Sequence, residues 1–184
     1  MATYAMNAPL SDEDARKLRT GDVVLLDGTI YTARDAAHKK LNDLLDQGAP
    51  LPIELQGAVI YYVGPSPAQP GYVIGSAGPT TSYRMDSFAP RLHSLGAKAS
   101  IGKGIRNDAV KQSLKDYGAV YFGATGGAGA LLSTCIKEAE VVAFPEMGPE
   151  AICKLKVEKL PLLVINDSVG GELYVQPDLK AAGL

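Results

Sequence analysis

Cysteine and histidine are scarce in this chain of 184 residues, which has two of each. Cys135 and Cys153 stand far apart, without a C-x-x-C pair. Because iron–sulfur clusters are generally held by three or four thiolates, the chain cannot hold such a cluster alone. His38 and His93 are also too far apart for the familiar spacings of zinc sites. We therefore expect no metal site within this chain, and we interpret both cysteines as small apolar residues of the interior.

No region is strongly charged with one sign, and no long apolar run is present. The formal net charge is -2, whereas a basic surface is the usual mark of a nucleic-acid-binding protein. No segment approaches the roughly 20 apolar residues that cross a bilayer, and Met1 to Asp14 lack the pattern of a signal peptide. We expect a cytoplasmic protein with a single domain over residues 1–184, long enough to bury a core without disulfides.

Strand-like and helix-like segments alternate along the chain, with Gly and Pro turns between them, which indicates a mixed α/β domain. Ser11 followed by Asp14 predicts a capping box at the start of a short helix. Asp27-Gly28 predicts a turn between two strands. Those strands are Val23–Leu26 and Thr29–Thr32; the other predicted strands are Ala58–Val63, Tyr72–Ile74, Ala119–Phe122, Val141–Phe144, Leu162–Asn166 and Leu173–Val175. The other predicted helices are one that starts at Arg34 and is ended by Gly48 and Pro50, one over Thr81–Leu95 that is interrupted near Pro90, and those over Asn107–Asp116 and Gly126–Glu138.

Two glycine-rich segments have the wrong spacing for nucleotide-binding motifs. Gly123–Gly129 lies between a predicted strand and a predicted helix, but Leu132 stands where G-x-G-x-x-G, counted from Gly127, requires glycine. Gly102-Lys103-Gly104 has no Ser or Thr after its lysine, as a P-loop would. The first segment is better explained by a tight turn and close helix packing.

The most informative segment runs from Gly75 to Asp86. Glycines and a proline punctuate a loop, Thr80 and Thr81 supply adjacent hydroxyls, and Arg84 falls near a predicted helix start. A cation is disfavoured at that end of a helix unless an anion accompanies it, and backbone N–H groups there also attract anions. The segment indicates a carboxylate- or phosphate-binding loop. The alternative is a Ser/Thr helix cap beside a solvated arginine.

Two more cations stand in special backbone positions. Arg34 precedes a helix that follows a β-leaning run, and Asp35 is an alternative partner for its charge. Lys103 lies between glycines after a short apolar run, where a strand end can present it to a ligand; the alternative is an exposed turn lysine. With Arg84, these residues suggest a small substrate with two carboxylates, since arginine binds a carboxylate through paired hydrogen bonds.

At this point the residues match a known family. The chain resembles the beta subunit, equivalent to the C-terminal domain, of the iron–sulfur class I fumarases and L-tartrate dehydratases. Tyr83 and Cys153 are mild departures, and the tail after Asp167 is looser. The resemblance is carried in order by Gly21–Val24, Thr32–Lys39, Gly64-Pro65, Gly75–Asp86, Ile101–Gly104, Gly126–Ala128, Pro145–Ala151 and Leu162–Asp167.

The resemblance implies a swivelling β/β/α domain and one subunit of a hydro-lyase that interconverts fumarate and L-malate. It implies that Arg34, Arg84 and Lys103 bind the substrate, and that Thr80 is the catalytic base with Thr81 beside it. It further implies that a partner alpha subunit holds a [4Fe–4S] cluster, in an αβ or α2β2 assembly. L(+)-tartrate and mesaconate are alternative substrates. A dicarboxylate-binding module without catalysis, or a subunit that only stabilises its partner, is the alternative from another class.

Overall fold

The computed structural model describes residues 1–124 and 128–174. Within them, seven strands form one mixed sheet, with helices packed on it. The strands are β1 (Thr3–Ala8), β2 (Val23–Thr32), β3 (Val59–Tyr61), β4 (Ala99–Gly102), β5 (Val120–Gly123), β6 (Ile136–Ala143) and β7 (Ile152–Asn166); the helices are α1 (Asp12–Lys17), α2 (Asp35–Asp46), α3 (Ala89–Ser94), α4 (Asp108–Tyr117) and α5 (Gly129–Thr134), with 3-10 helices at Ser82–Met85 and Pro145–Glu150. The predicted α/β class is confirmed.

The strand pairings close the sheet on itself. β1 to β5 pair as parallel neighbours in chain order, and β7 pairs antiparallel with β5. β7 also pairs antiparallel with β2 along most of its length. The row β2-β3-β4-β5-β7 is therefore a ring, to which β1 adds on β2 and β6 adds on β7. No described helix is long and apolar enough to cross a lipid bilayer.

Short parallel strands in the ring are buried on both faces. In β3, Val59 and Tyr61 belong to the main apolar core, which takes residues from all seven strands. Ile60 points to a second apolar cluster, under α2 and α3. On β5, Tyr121 packs with residues of α4 in a third cluster. The helices α2, α3 and α4 thus cover the outer face of β3 and β5, and the main core fills the ring.

A bulge replaces the hairpin that was predicted at Asp27-Gly28. β2 continues through both residues, and the register with β7 shifts between Leu26 and Gly28. The extra residue on β7 gives Lys159 a positive φ of 49°, and the Lys159 N–H donates to Asp27 Oδ1 at 2.9 Å. Gly28 has φ 100°, and a Cβ there would stand 2.3 Å from the Ala8 carbonyl oxygen. The glycine therefore serves close strand packing and not a turn.

The predicted helix Thr81–Leu95 is interrupted, as expected, close to Pro90, but its first part is a 3-10 turn. A 3-10 turn ends at Met85, and α3 starts at Ala89. A continuous α-helix would need an N–H from Pro90 to bond the Asp86 carbonyl, and proline has none. The Asp86 side chain is also engaged outside the helix, with Arg106.

Other boundaries differ where tertiary contacts decide the backbone. β1 and the first half of β7 were not predicted, and Tyr72–Ile74 is not a strand. The predicted helix 126–138 is α5 followed by β6. Residues 137–141 of β6 are all solvent-exposed, so the strand lacks the alternation of buried and exposed residues that marks a strand in sequence. Gly126 and Val175, at the ends of two predicted elements, lie outside the described residues. The capping box at Ser11 is confirmed, with the Asp14 N–H donating to Ser11 Oγ at 3.0 Å.

Candidate active site

Three successive parallel strands end at the same edge of the sheet. Arg34 follows the end of β2, Gly64 follows β3, and Lys103 comes directly after β4. Ligands of α/β proteins bind beyond the carboxyl ends of parallel strands, where the following loops converge. Lys103 thus stands at a strand end, as its place in the sequence predicted.

The loop with the two threonines runs between the extensions of β3 and β4. The Thr80 N–H donates to the Tyr62 carbonyl at 2.7 Å, and the Ser82 N–H donates to the Lys103 carbonyl at 2.9 Å. The Lys103 N–H in turn donates to the Thr80 carbonyl at 3.3 Å. The backbone N–H groups of Thr80 and Ser82 are therefore already used within the fold and are not free to bind an anion. Among described residues, the hydroxyls of Thr80 and Thr81 have no hydrogen-bond partner.

Arg34 occupies the N-cap position of α2, as its place in the sequence predicted. Its Nη2 lies 2.8 Å from Glu150 Oε1, and its Nε lies 3.8 Å from Asp35 Oδ1. Its Nη1 is so close to Gly64 that a Cβ on that glycine would stand 2.8 Å away. Gly64 is therefore needed for the guanidinium to lie against the backbone beyond β3.

Arg84 is the third residue of the 3-10 turn Ser82–Met85 and is joined to α2 by an ion pair. Its Nη2 donates to Asp35 Oδ2 at 2.9 Å. Asp35 was predicted as an alternative partner for Arg34, but its hydrogen-bonded partner is Arg84. Both arginines thus meet carboxylates of this chain, and Asp35 lies between them.

An open cleft of about 510 Å³ lies at this edge. Lys103, Gly64, Pro79 and Pro149 line it, and Thr80 adjoins Pro79 in the chain. Lys103 is exposed and makes no salt bridge with any described residue. Of the five predicted site residues, Lys103 lines the cleft itself. Arg34 Nη1 lies against Gly64 of the lining, whereas Thr81 and Arg84 are not among the lining residues.

A buried polar network supports this loop from behind and was not predicted. The Arg106 side chain is 0% exposed, and its Nε donates to Asp86 Oδ1 at 2.6 Å. Its guanidinium stands over the rings of Tyr62 and Tyr121, at 5.3 and 4.9 Å. A buried charge is costly unless it is paired, so this pair fixes Asp86, at the end of the threonine segment, relative to the turn after β4.

Tyr121 ties the two loops together a second time. Its hydroxyl donates to the Gly104 carbonyl at 2.9 Å and lies 2.9 Å from Ser82 Oγ. Burial raises the pKa of Tyr121 above its usual value, so the hydroxyl stays protonated and available as a donor. Sequence reasoning could not find this residue, because a tyrosine inside a predicted strand carries no mark of a polar role.

Comparison with known proteins identifies the family. The family model described as "Fumarase C-terminus" matches residues 2–177. The chain belongs to the fumarase C-terminus family. The resemblance predicted from the motifs is confirmed.

The relatives of this member of the fumarase C-terminus family are of two kinds, which differ from each other in length. The chain is 38% identical over 182 residues to "Fumarate hydratase class I, aerobic" of Salmonella typhimurium, covering 97% of this chain and 31% of the relative. It is 40% identical over 156 residues to "Fumarate hydratase 2" of Leishmania major, covering 84% and 28%. It is 39% identical over 183 residues to "Putative L(+)-tartrate dehydratase subunit beta" of Methanocaldococcus jannaschii, covering 96% and 93%. The chain spans about a third of the fumarate hydratases but nearly all of the beta subunit.

The thiols of this family member do not fit an iron–sulfur cluster. Ile136, next to Cys135, pairs with Val157, and Cys153 lies four positions before Val157 on β7. At about 3.3 Å per residue, the two cysteines are separated by roughly 13 Å along the strand, too far to share a cluster. Both are half-buried beside the main core, and burial raises the pKa of Cys153. Within residues 1–124 and 128–174, no three His, Cys, Asp or Glu side chains converge as metal ligands would.

Proposed function

We propose that this chain is the beta subunit of an iron–sulfur-dependent hydro-lyase that reversibly hydrates fumarate to L-malate. The supporting observation is that Lys103 lines a cleft at the carboxyl ends of β2, β3 and β4, next to the loop with the two threonines, while Arg34 lies against Gly64 of that cleft. The relatives named fumarate hydratase and tartrate dehydratase support the reaction class. We also assign the fold to the swivelling β/β/α type, which agrees with a closed strand ring covered by helices at β3 and β5.

Charge at the cleft suits a dicarboxylate. Arg34, Arg84 and Lys103 supply three positive charges, and Asp35 and Glu150 neutralise two of them. Lys103 is the cation without a described carboxylate partner, so it is available as a point charge for one substrate carboxylate. An arginine whose remaining N–H groups face the cleft can hold the other carboxylate in a fixed orientation.

Proton removal is the second task that we assign to this chain. Hydration and dehydration require the transfer of a proton at the carbon beside a carboxylate, where negative charge builds up in the transition state. Fixed cations lower the energy of that charge. A threonine hydroxyl acts as a base only when nearby groups stabilise its alkoxide. The backbone of Lys103 is hydrogen-bonded to the residues on either side of Thr81, so this cation is held next to the two threonines. On the family resemblance, we assign the base to Thr80, with Thr81 beside it.

The cluster belongs to another chain in this proposal. Because the two thiols here do not fit one, we assign the [4Fe–4S] cluster to a partner alpha subunit in an αβ or α2β2 assembly. The relative named as a beta subunit, which this chain covers at 93%, supports a separate partner. The longer fumarate hydratases support the same arrangement within one polypeptide.

Substitution of Thr80 in the assembled pair tests the proposal. The chain would be purified anaerobically with its alpha subunit and assayed on fumarate, L(+)-tartrate and mesaconate. Thr80→Ala should collapse kcat with little change in KM, since the lost interaction exists mainly in the transition state. Thr80→Ser should keep a measurable fraction of the rate because it keeps the oxygen.

Thr3→Ala is the matched control, since Thr3 is exposed and begins β1, whereas the cleft lies beyond the carboxyl ends of the parallel strands. A Thr80→Ala enzyme with wild-type kcat would exclude Thr80 as the base. A wild-type pair inactive on all three substrates that still bound them would favour a binding module, and one that neither bound nor turned them over would favour a stabilising subunit.

An apolar surface beside the cleft is our candidate contact with the alpha subunit. Tyr72, Val73 and Leu131 are 70%, 49% and 64% exposed. Tyr72 and Val73 line a groove of about 720 Å³ that shares Ser66 with the cleft, and Leu131 follows a groove residue in α5. Exposed apolar patches of this kind mark interaction sites. In the longer relatives, the additional polypeptide is available to cover such a surface.

Leu131→Asp should weaken assembly of the pair without unfolding the chain, because the side chain is exposed and its replacement adds a charge that must be desolvated at the interface. Size-exclusion chromatography and titration with the alpha subunit measure the effect. Val169→Asp is the control, since Val169 is 63% exposed in the turn after β7. Equal affinity of the Leu131→Asp chain and the wild type for the alpha subunit would contradict this assignment.

A further inference from the structure

Asp35 contacts both arginines of the cleft. Its Oδ2 accepts a hydrogen bond from Arg84 Nη2 at 2.9 Å, and its Oδ1 lies 3.8 Å from Arg34 Nε. Asp35 is the first residue of α2, a rigid helix whose buried face packs into the second apolar cluster. The carboxylate therefore stands on a fixed element, whereas Arg84 lies in a short 3-10 turn.

The contacts of Arg84 and Arg34 with the protein use only some of their guanidinium N–H groups. Arg84 uses Nη2 for Asp35, and its Nε and Nη1 have no hydrogen bond to any described residue. Arg34 uses Nη2 for Glu150 and directs Nη1 to Gly64, which lines the cleft. Arg34 Nε and Asp35 Oδ1 are buried without a hydrogen bond among described residues. Each arginine thus has one edge held by the protein and another edge left for a ligand.

We propose that Asp35 is a positioning residue for substrate binding, which holds Arg84 at its Nη2 edge so that the remaining N–H groups of Arg84 meet a substrate carboxylate. This inference rests on the function proposed above. Arginine binds carboxylate best when two parallel N–H groups point at it. An arginine held at one edge loses less conformational freedom when substrate binds at the other.

A simple counter-charge at this place has the opposite effect on binding. If Asp35 only offset positive charge, Asp35→Asn would raise the net charge of the cleft and lower KM for a dianionic substrate. A positioning role predicts a higher KM, because the side chain keeps its size but no longer holds the guanidinium. The direction of the change in KM therefore separates the two roles.

A double-mutant cycle in the assembled enzyme tests the role directly. Asp35→Asn should lower kcat/KM by about 10- to 100-fold, mainly through KM. If Asp35 acts through Arg84, then Asp35→Asn in the Arg84→Gln background should change kcat/KM by less than about 3-fold, since contacting residues are non-additive. Asp43→Asn is the matched control, because Asp43 lies on the same helix and pairs with exposed Lys39; it should leave kcat/KM unchanged.

The outcomes are distinguishable. An active wild-type pair in which the two substitutions multiply, or in which Asp35→Asn lowers KM, overturns the positioning role and leaves the proposed function intact. A wild-type pair inactive on fumarate, L(+)-tartrate and mesaconate overturns both. Thermal unfolding of every variant reports whether the chain folds, and Asp35→Ser provides a second neutral variant with a residue that is well tolerated at a helix start.

Discussion

Two buried histidines should make the stability of this protein fall as the solution is acidified. His38 is fully buried, and its Nδ1–H donates to the Arg34 carbonyl at 2.8 Å. His93 is 3% exposed, and its Nδ1 lies 2.8 Å from Ser113 Oγ, which donates to the Val110 carbonyl. Burial, together with the charge of Arg106, lowers the pKa of His38 to about 4 and that of His93 to about 3.

The sign and size follow from proton linkage. The ordinary pKa of histidine is about 6.5, so below that pH the unfolded chain binds protons that the folded chain does not. Stability is therefore highest above about pH 6.5 and falls as the pH drops towards the folded pKa values. At about 1.36 kcal/mol per pKa unit, each histidine should cost roughly 2 kcal/mol between pH 7 and pH 5, and the two together roughly 4. That is a large part of a typical stability of about 5–15 kcal/mol.

Urea unfolding between pH 7.5 and pH 5, followed by circular dichroism, measures the loss. His93→Asn keeps a donor for Ser113 but cannot be protonated, so it should remove about half of the pH dependence of the unfolding free energy attributable to these residues. The comparison uses the slope, because a smaller side chain also leaves a cavity that lowers stability at every pH. An unchanged slope in both the His93→Asn and the His38→Asn proteins would refute the reasoning, since carboxylates would then carry the whole effect.

Two further predictions concern the loops of the cleft. Arg84→Lys in the assembled enzyme should cost about 2–4 kcal/mol of transition-state stabilisation, because lysine keeps the charge but loses the paired geometry; wild-type kcat/KM would exclude a two-pronged contact. Gly102→Ala should destabilise the chain by about 2 kcal/mol or more in urea unfolding, since the new Cβ would stand 2.0 Å from the buried Ser82 Oγ. Gly78→Ala is its control, because nothing lies closer than 3.6 Å to a Cβ there, and equal losses in the two proteins would contradict the steric argument.

Local sequence signals predicted elements whose ends are set by nearby residues. Ser11 caps α1 and Asn107 caps α4, each through its own side chain. These local signals failed where pairing with a distant strand determines the backbone conformation. Along β7 the apolar alternation breaks at the bulge formed by Lys159, whose partner Asp27 lies on β2. The period of two is interrupted there, so the first half of the strand could not be read from its pattern.

In the candidate site, too, local sequence predicted some residues and missed their partners from distant segments. Arg34, Arg84 and Lys103 were predicted because each cation stands in an unusual backbone position, and the structure places Lys103 in the cleft lining, Arg34 against Gly64 of that lining, and Arg84 in an ion pair with Asp35. Glu150 and Arg106 were missed as partners. Glu150 meets Arg34 only through the folding of a distant loop, and a buried arginine cannot be told from an exposed one by its neighbours in sequence.

The β2–β7 pairing also constrains how the chain can be made. Val23 pairs with Leu163, so β2 cannot complete this pairing until β7 has been synthesised. Until then the nascent polypeptide presents the unpaired edge of β2, and such edges attract other chains. Contacts between segments so distant in sequence also form slowly. The order of synthesis therefore prolongs the exposure of this edge.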